Sequence, residues 1–291
     1  RMSLESLWDK IPDTFDKPKR DWVLIKWTGS KRLQAAQIVQ QFPSEIATYY
    51  EPFIGGGAVL QQLLHSDIAV RRIRCSDTCA PLIGIWSLVK DDPRRLLRSY
   101  EMMWSQLQKQ GSDYYYAIRD QFNQCSDSCQ FFFLLRTCRN GLVRFNQKGE
   151  FTPAFHFGKP GIAPDHIGPV IAYWHDHLRS RDIRFSVASY ETIRTRSTDF
   201  MYLDPPYEPK NRSTYYGRLD YEHFFRWLGG QNARYLLSLN GYVGEKNCCM
   251  DVPRWHYEEQ LQIPAGRNPF RQTQDGKSPI ITDSLYIHRE Q

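Results

Sequence analysis

"IATYYEPFIGGGAVLQQLLH", residues 46–65, is the stretch that decides the fold of this 291-residue chain. It opens as a strand-like run rich in β-branched and aromatic residues, passes Glu51-Pro52-Phe53, and reaches three consecutive glycines, Gly55, Gly56 and Gly57. From Ala58 onward it reads as a helix. A strand that enters a helix through a glycine turn begins a βαβ unit, and such units build parallel sheets with their sites at the carboxyl ends of the strands. Glycines at that junction let the backbone turn tightly and approach a ligand closely, and the helix start offers amide donors. For such a motif alone, a plain turn is the competing reading.

The residues around the turn restrict the ligand. A phosphate-binding loop needs Lys-Ser or Lys-Thr directly after the glycines, and here Ala58-Val59-Leu60 follow. The dinucleotide fingerprint G-x-G-x-x-G is also incomplete. An adenosyl group with an uncharged or zwitterionic tail suits the turn better. The next strand, "VRRIRCSD", ends at Asp77, 20 positions past Gly57. A carboxylate at that place accepts both ribose hydroxyls in a Rossmann-like sheet, although "SDT" also suits a helix N-cap.

Working outward, Trp22–Lys26 reads as a short strand, residues 33–42 as a helix stopped by Pro43, and "APLIGIWSLVK" as another helix. Residues from about 90 to 180 break the rhythm: they are mostly helical, with a loop-rich stretch, "RTCRNGLVRFNQKGEFTPAFHFGKPG". Strands resume at "DIRFSVASY" and "DFMYLDPPY", followed by the helix "YEHFFRWLGG" and the strands "ARYLLSLN" and "SPIITDSLYIHRE". The expected organisation is an N-terminal arm (1–20), a catalytic α/β domain (21–90 and 181–291) and an insert (91–180).

In "MYLDPPYEPK", residues 201–210, Asp204 ends an apolar run and two prolines stop the ladder. If the glycine turn holds S-adenosylmethionine, the acceptor must be presented to an electrophilic methyl group. A nucleobase amine is a poor nucleophile because its lone pair is delocalised into the ring. Asp204 accepting one amine proton and the Pro205 carbonyl the other would aim that lone pair, and Tyr207 offers a stacking face. Such a base must leave the duplex. The bland alternative is a strand-ending turn with an incidental aspartate.

These parts stand in a recognisable order. Lys26-Trp27-Thr28-Gly29-Ser30-Lys31, then "EPFIGGG", "SDTCAPLI" and "DPPY", together resemble the DNA adenine methylases of the Dam-like (D12) group from about Asp21 onward. The resemblance implies an α/β, Rossmann-like S-adenosylmethionine-dependent methyltransferase sheet with an inserted, mostly helical DNA-recognition domain. It implies that Trp27 and Lys31 contact the cofactor, with Lys31 at the methionine carboxylate. Phe53, Gly55 and Gly57 would line the methionine end, and Asp77 would hold the ribose. Asp204, Pro205, Pro206 and Tyr207 would form the catalytic motif, with Asp204 also bordering the cofactor.

The insert is similar to the family's "R-x-x-x-NG-x-x-R-[YF]-N" hairpin region. Arg136, Arg139, Asn140, Arg144, Asn146 and Lys148 are its candidate contacts to double-stranded DNA, interleaved with Phe145 and Phe151. The sequence departs from the family at "FSVASY", where Ser189 stands in place of a frequent acidic residue. The downstream segments resemble a restriction-modification branch, which makes a cognate restriction endonuclease acting on the same site a candidate partner. Cytosine-N4 methylation, a catalytically inactive DNA-binding relative and a nucleotide-dependent oxidoreductase are the alternatives. The last leaves "DPPY" and the basic insert unexplained.

Bulk properties agree with a polyanionic partner: the net charge is +6. Apolar runs such as Phe131–Leu135 are far too short to span a bilayer and the N-terminus lacks a signal-peptide pattern, so a cytoplasmic protein without membrane association is expected. Cys75/Cys79 and Cys125/Cys129 are spaced i, i+4 without accompanying ligands, so reduced thiols and no metal are expected.

Overall fold

The computed structural model describes residues 22–158, 161–206, 219–267 and 279–289. A short helix, α1 (Ala35–Val39), precedes β1 (Glu45–Glu51), and β1 runs through the glycine turn into α2 (Ala58–Leu64). β2 (Ala69–Asp77) lies parallel to β1 and leads to α3 (Ala80–Asp91). The helices α4 (Pro93–Gln110), α5 (Ser112–Cys125), α6 (Ser128–Thr137) and α7 (Pro164–Arg179) come next. β3 (Ile183–Val187) and β4 (Phe200–Leu203) return to the sheet, followed by α8 (Tyr221–Gly229) and β5 (Arg234–Val243). β6 (Lys246–Asn247), β7 (Glu259–Arg267) and β8 (Ile280–His288) complete it.

The strands run β3-β2-β1-β4-β5-β8-β7, with β6 paired to β5. β3 through β5 are mutually parallel, and β8 and β7 are antiparallel. The chain moves outward from β1 to β3, returns beside β1 as β4, and continues the other way. Between the carboxyl ends of β1 and β4 this reversal leaves a crevice, the place where open α/β sheets bind ligands. All four residues of β4 are buried, as a central parallel strand covered on both faces requires.

Helices cover both faces. On one, Trp86 of α3 stacks on Phe185 of β3 (5.4 Å) and meets Trp174 of α7 edge-on (4.9 Å). On the other, Phe224 and Leu228 of α8 pack with Met201, Leu203 and Leu237. α6 is apolar all round, and Phe131–Leu135 are fully buried between α4, α5 and the loop that follows. No helix among the described residues is long and apolar enough to cross a membrane.

Two expected elements differ and one strand was not foreseen. Trp22–Lys26 is not a strand, because side chains take its carbonyls: Trp174 and Gln61 donate to Trp22 O, and Arg136 to Val23 O and Leu24 O. The helix expected over 33–42 is confined to α1. β7 was not expected, since Pro264 interrupts it; at the sheet edge a proline is tolerated, and the register shifts between Pro264 and Gly266. The 1–20 arm lies outside the described residues.

Candidate active site

A cavity of about 620 Å³ opens at the carboxyl ends of β1, β2 and β4. Trp27, Lys31, Phe53, Gly55, Gly57, Asp77, Asp204, Pro205 and Pro206 all border it, so candidates scattered over nearly 180 positions of sequence meet around one cavity. Tyr207 lies outside the described residues.

The glycine turn is shaped by two indoles. Gly55 has φ +46° and Gly57 φ +68°. A Cβ on Gly55 would sit 2.7 Å from Trp27 Cδ1, and one on Gly57 2.7 Å from the Trp86 ring. Trp86 Nε1 also donates to Gly55 O at 3.1 Å. The glycines therefore admit protein side chains, in addition to allowing a close backbone approach, and their contact with Trp27 seats that ring at the cavity.

Asp77 ends β2 facing this turn. Its Oδ1 accepts from Cys79 N at 3.0 Å, and the Gly55 and Thr78 amides also donate to the carboxylate. Burial nevertheless pushes its carboxyl up to about 6 against those amides. Cys79, not Asp77, occupies the N-cap position of α3, so the capping alternative does not hold.

Asp204 follows β4 directly and is paired. Lys31 Nζ lies 2.9 Å from Asp204 Oδ1 and 3.5 Å from Asp283 Oδ2, and it donates to Gly29 O at 3.0 Å. Within the chain itself, the buried ammonium thus faces two carboxylates. Glu51, at the end of β1, is also buried and accepts from Tyr49 Oη at 2.8 Å. Burial raises its carboxyl to about 8; the Tyr49 hydrogen bond opposes that rise and nearby Asp204 adds to it. Pro206 O accepts from Tyr221 Oη at 3.0 Å, which ties the double-proline turn to α8. Ser189, where the family often has an acid, accepts from Glu191 N, and Glu191 itself reaches the cavity wall with His223 at 3.3 Å.

Sequence comparison supplies the family. The profile of the D12 class N6 adenine-specific DNA methyltransferases matches residues 27–228. The chain belongs to that family. It is 30% identical over 253 residues to the type II methyltransferase M.MjaIII of Methanocaldococcus jannaschii, covering 75% of this chain and 83% of the relative. It is 27% identical to the type II methyltransferase M1.LlaDCHI of Lactococcus lactis subsp. cremoris, covering 68% of this chain and 70% of that one. It is 31% identical to a DNA adenine methylase of Vibrio cholerae, covering 66% and 67% of the two chains. The protein is thus an adenine-specific DNA methyltransferase. Its substrate is DNA, and membership implies S-adenosylmethionine as the methyl source.

In this methyltransferase the candidate DNA residues divide into two groups. Arg139, Asn140, Arg144 and Lys148 are exposed on the loop and hairpin after α6. The hairpin alternates, with Val143 and Phe145 inward and Leu142, Arg144 and Asn146 outward. Asn146 builds the turn: its Oδ1 accepts from Lys148 N and Glu150 N, and its Nδ2 donates to Glu150 Oε2. Arg136 corrects the expectation, being buried with its guanidinium donating to the carbonyls of Val23 and Leu24. Phe145 and Phe151 are likewise core residues packed on Phe131 and Phe122, because an apolar α6 needs covering.

Other residues escaped the sequence reading. Thr28 Oγ1 accepts from Val143 N at 3.0 Å, linking the hairpin to the first motif, and Gly141 abuts Lys26. Tyr221, Glu191 and Asp283 carried no local signal, since each is identified only by what it faces across the fold.

Proposed function

We propose that the cavity holds S-adenosylmethionine against the glycine turn and receives an adenine extruded from duplex DNA beside Asp204. One observation supports this above the others: Asp77 and Asp204 end the two strands that flank β1, so both carboxylates border one cavity on either side of the glycine turn.

The lining fits such a cofactor. Among the described lining residues Lys31 is the single lysine or arginine, whereas Asp77, Glu191, Asp204 and Asp220 are acidic and Glu51, raised to about 8, is held largely neutral at pH 7. That charge set disfavours a phosphate tail and suits a sulfonium with a zwitterionic end. The volume lies in the usual ligand range of about 300–1,000 Å³. When bound, S-adenosylmethionine supplies a methyl group made electrophilic by its sulfonium.

The chain's own residues do the rest. Asp77 accepts the ribose hydroxyls, and Trp27, Phe53, Gly55 and Gly57 line the methionine end. Lys31 holds the Asp204 carboxylate in place. Asp204 accepts one N–H of the adenine amine and the Pro205 carbonyl the other, which turns the nitrogen lone pair toward the methyl group. The proline ring fixes φ at Pro206, and Tyr221 fixes its carbonyl. Tyr207 stacks on the base.

Residues 91–180 act as the recognition insert of a catalytic domain formed by 21–90 and 181–291. Arg139, Asn140, Arg144 and Lys148 contact DNA, and Asn146 shapes the turn that presents them. The type II relatives support a place in a restriction-modification system, with a cognate endonuclease acting on the same site.

The test begins by incubating plasmid with methyl-labelled S-adenosylmethionine and mapping the N6-methyladenine by sequencing. A duplex carrying 2-aminopurine at the mapped adenine is then bound in the presence of a non-reactive cofactor analogue. A several-fold rise in 2-aminopurine fluorescence is expected as the base leaves the stack. An unchanged signal despite tight binding would overturn the extruded-base reading.

A further inference from the structure

We propose that Asp283 is a positioning residue for methyl transfer: it shares the Lys31 ammonium with Asp204, so that Asp204 remains available to the target amine. This rests on the assignment of Asp204 to that amine. Asp283 lies on β8, beyond the residues 27–228 that match the family profile, and no local motif surrounds it.

The geometry is specific. Lys31, 5% exposed, stands between Asp204 at 2.9 Å and Asp283 at 3.5 Å. Gln34, also buried, donates through one amide nitrogen to Asp283 Oδ2 at 3.1 Å and to Ile263 O at 3.3 Å. Asp283 is opposite Asn240 on β5 and Ile263 on β7, so the sheet fixes its backbone while Gln34 and Lys31 hold its carboxylate.

A stability argument alone does not account for two carboxylates here. One buried lysine balances one partly buried aspartate, and a second negative charge that is also partly buried adds desolvation cost and repulsion. With a substrate the arrangement has a use. An amine N–H donated to Asp204 draws on the same carboxylate that holds Lys31. A buried ammonium that loses part of its partner is costly unless another acceptor is within reach. Asp283 is that acceptor, already oriented by Gln34. Without it, Lys31 would hold Asp204 in a one-to-one pair that competes with the base.

The test uses the full chain and a duplex bearing the mapped site. Single-turnover methyl transfer, cofactor and DNA affinities, and thermal melting are measured for Asp283→Asn, Asp283→Glu, Lys31→Met and the Lys31→Met/Asp283→Asn double variant. Asp283→Asn should slow transfer by about ten- to a hundredfold while both affinities stay within about twofold. Asp283→Glu should recover most of the rate. The double variant should be no slower than Lys31→Met, because residues acting through one another are not additive.

A full transfer rate in Asp283→Asn, or additive losses in the double variant, would overturn the inference. If Asp283→Asn fails to fold, Gln34→Met, which unties Asp283 without altering charge, must slow transfer in its place; an unchanged rate there would sink it too. Substantial activity in Asp204→Ala would instead remove the reading of the site itself and take this inference with it.

Discussion

Lys31, which is buried, and Asp204, which is partly buried, form an ion pair at 2.9 Å that joins the turn before α1 to the end of β4. The pair makes Asp204 an ionised acceptor with a fixed direction rather than a loose carboxylate at a strand end. Removing Asp204 leaves Lys31 with Asp283 as a charge partner, so the buried ammonium is not stranded. Asp204→Ala is therefore expected to fold and to bind cofactor within a few-fold of the parent. Its methyl-transfer rate should fall at least a hundredfold, about 3 kcal/mol of transition-state stabilisation. Rapid-quench transfer assays alongside calorimetric cofactor titration measure the two quantities separately.

Asp77 predicts a pH dependence of cofactor binding. Burial lifts its carboxyl to about 6, so it is ionised above that pH and protonated below it. Only the ionised form accepts from both ribose hydroxyls. Affinity for S-adenosylmethionine should be flat from about pH 7 upward as far as Asp77 is concerned, and about tenfold weaker at pH 5. Asp77→Asn should bind more weakly throughout and lose the step near 6. Glu51, raised to about 8, titrates in a higher window that overlaps the cofactor's own α-amino group, so a step near 8 that survives in Asp77→Asn belongs to Glu51 only if Glu51→Gln removes it. Titration calorimetry across pH 5–9 distinguishes the two carboxyls.

Much of this was legible in the sequence, and the limits have a physical pattern. The glycine turn, Asp77 and Asp204 are legible because each sits at a strand end, the first marked by its glycines, the second by its spacing from them and the third by the two prolines that follow it. That same logic misread Trp22–Lys26, whose apolar residues suggest a strand but whose carbonyls are claimed by Arg136, Trp174 and Gln61 from distant helices. Arg136 looked like a surface cation because composition does not reveal burial. Phe145 and Phe151 were grouped with the basic DNA candidates because they are interleaved with them in sequence, and alternation along a hairpin gives two faces without saying which is inside. Asp283 and Tyr221 were invisible for a different reason: their roles exist only through partners far away in sequence.

The glycines make a stability prediction with an internal control. Gly57 has φ +68°, and a methyl there would come within 2.7 Å of the Trp86 ring, itself fully buried. Gly57→Ala should cost about 1–2 kcal/mol for the left-handed backbone and about 1–3 kcal/mol more for overpacking. Gly29 has φ +78° but nothing within 4 Å of the added methyl, so Gly29→Ala should show the backbone cost alone. Urea unfolding of both variants checks the difference. Equal losses would mean that the Trp86 ring moves aside freely and does not shape the turn.

The arginines of the insert separate DNA contact from architecture. Arg139 and Arg144 are exposed on the loop and hairpin after α6, whereas Arg136 three residues before Arg139 is buried against the Val23 and Leu24 carbonyls. Each phosphate contact removed should lower the slope of log affinity against log salt by about 0.9. Arg139→Ala/Arg144→Ala should therefore reduce the slope by nearly 2 and weaken binding similarly across DNA sequences, with little change in melting. Arg136→Ala should do the reverse, leaving the slope intact while costing about 1.5–3 kcal/mol of stability as its charge-assisted hydrogen bonds are lost. Fluorescence anisotropy over a range of salt, paired with thermal melts, reads both effects. A slope unchanged by the double substitution would move the DNA surface away from this hairpin. A slope reduced by Arg136→Ala would show that its burial gives way when DNA binds.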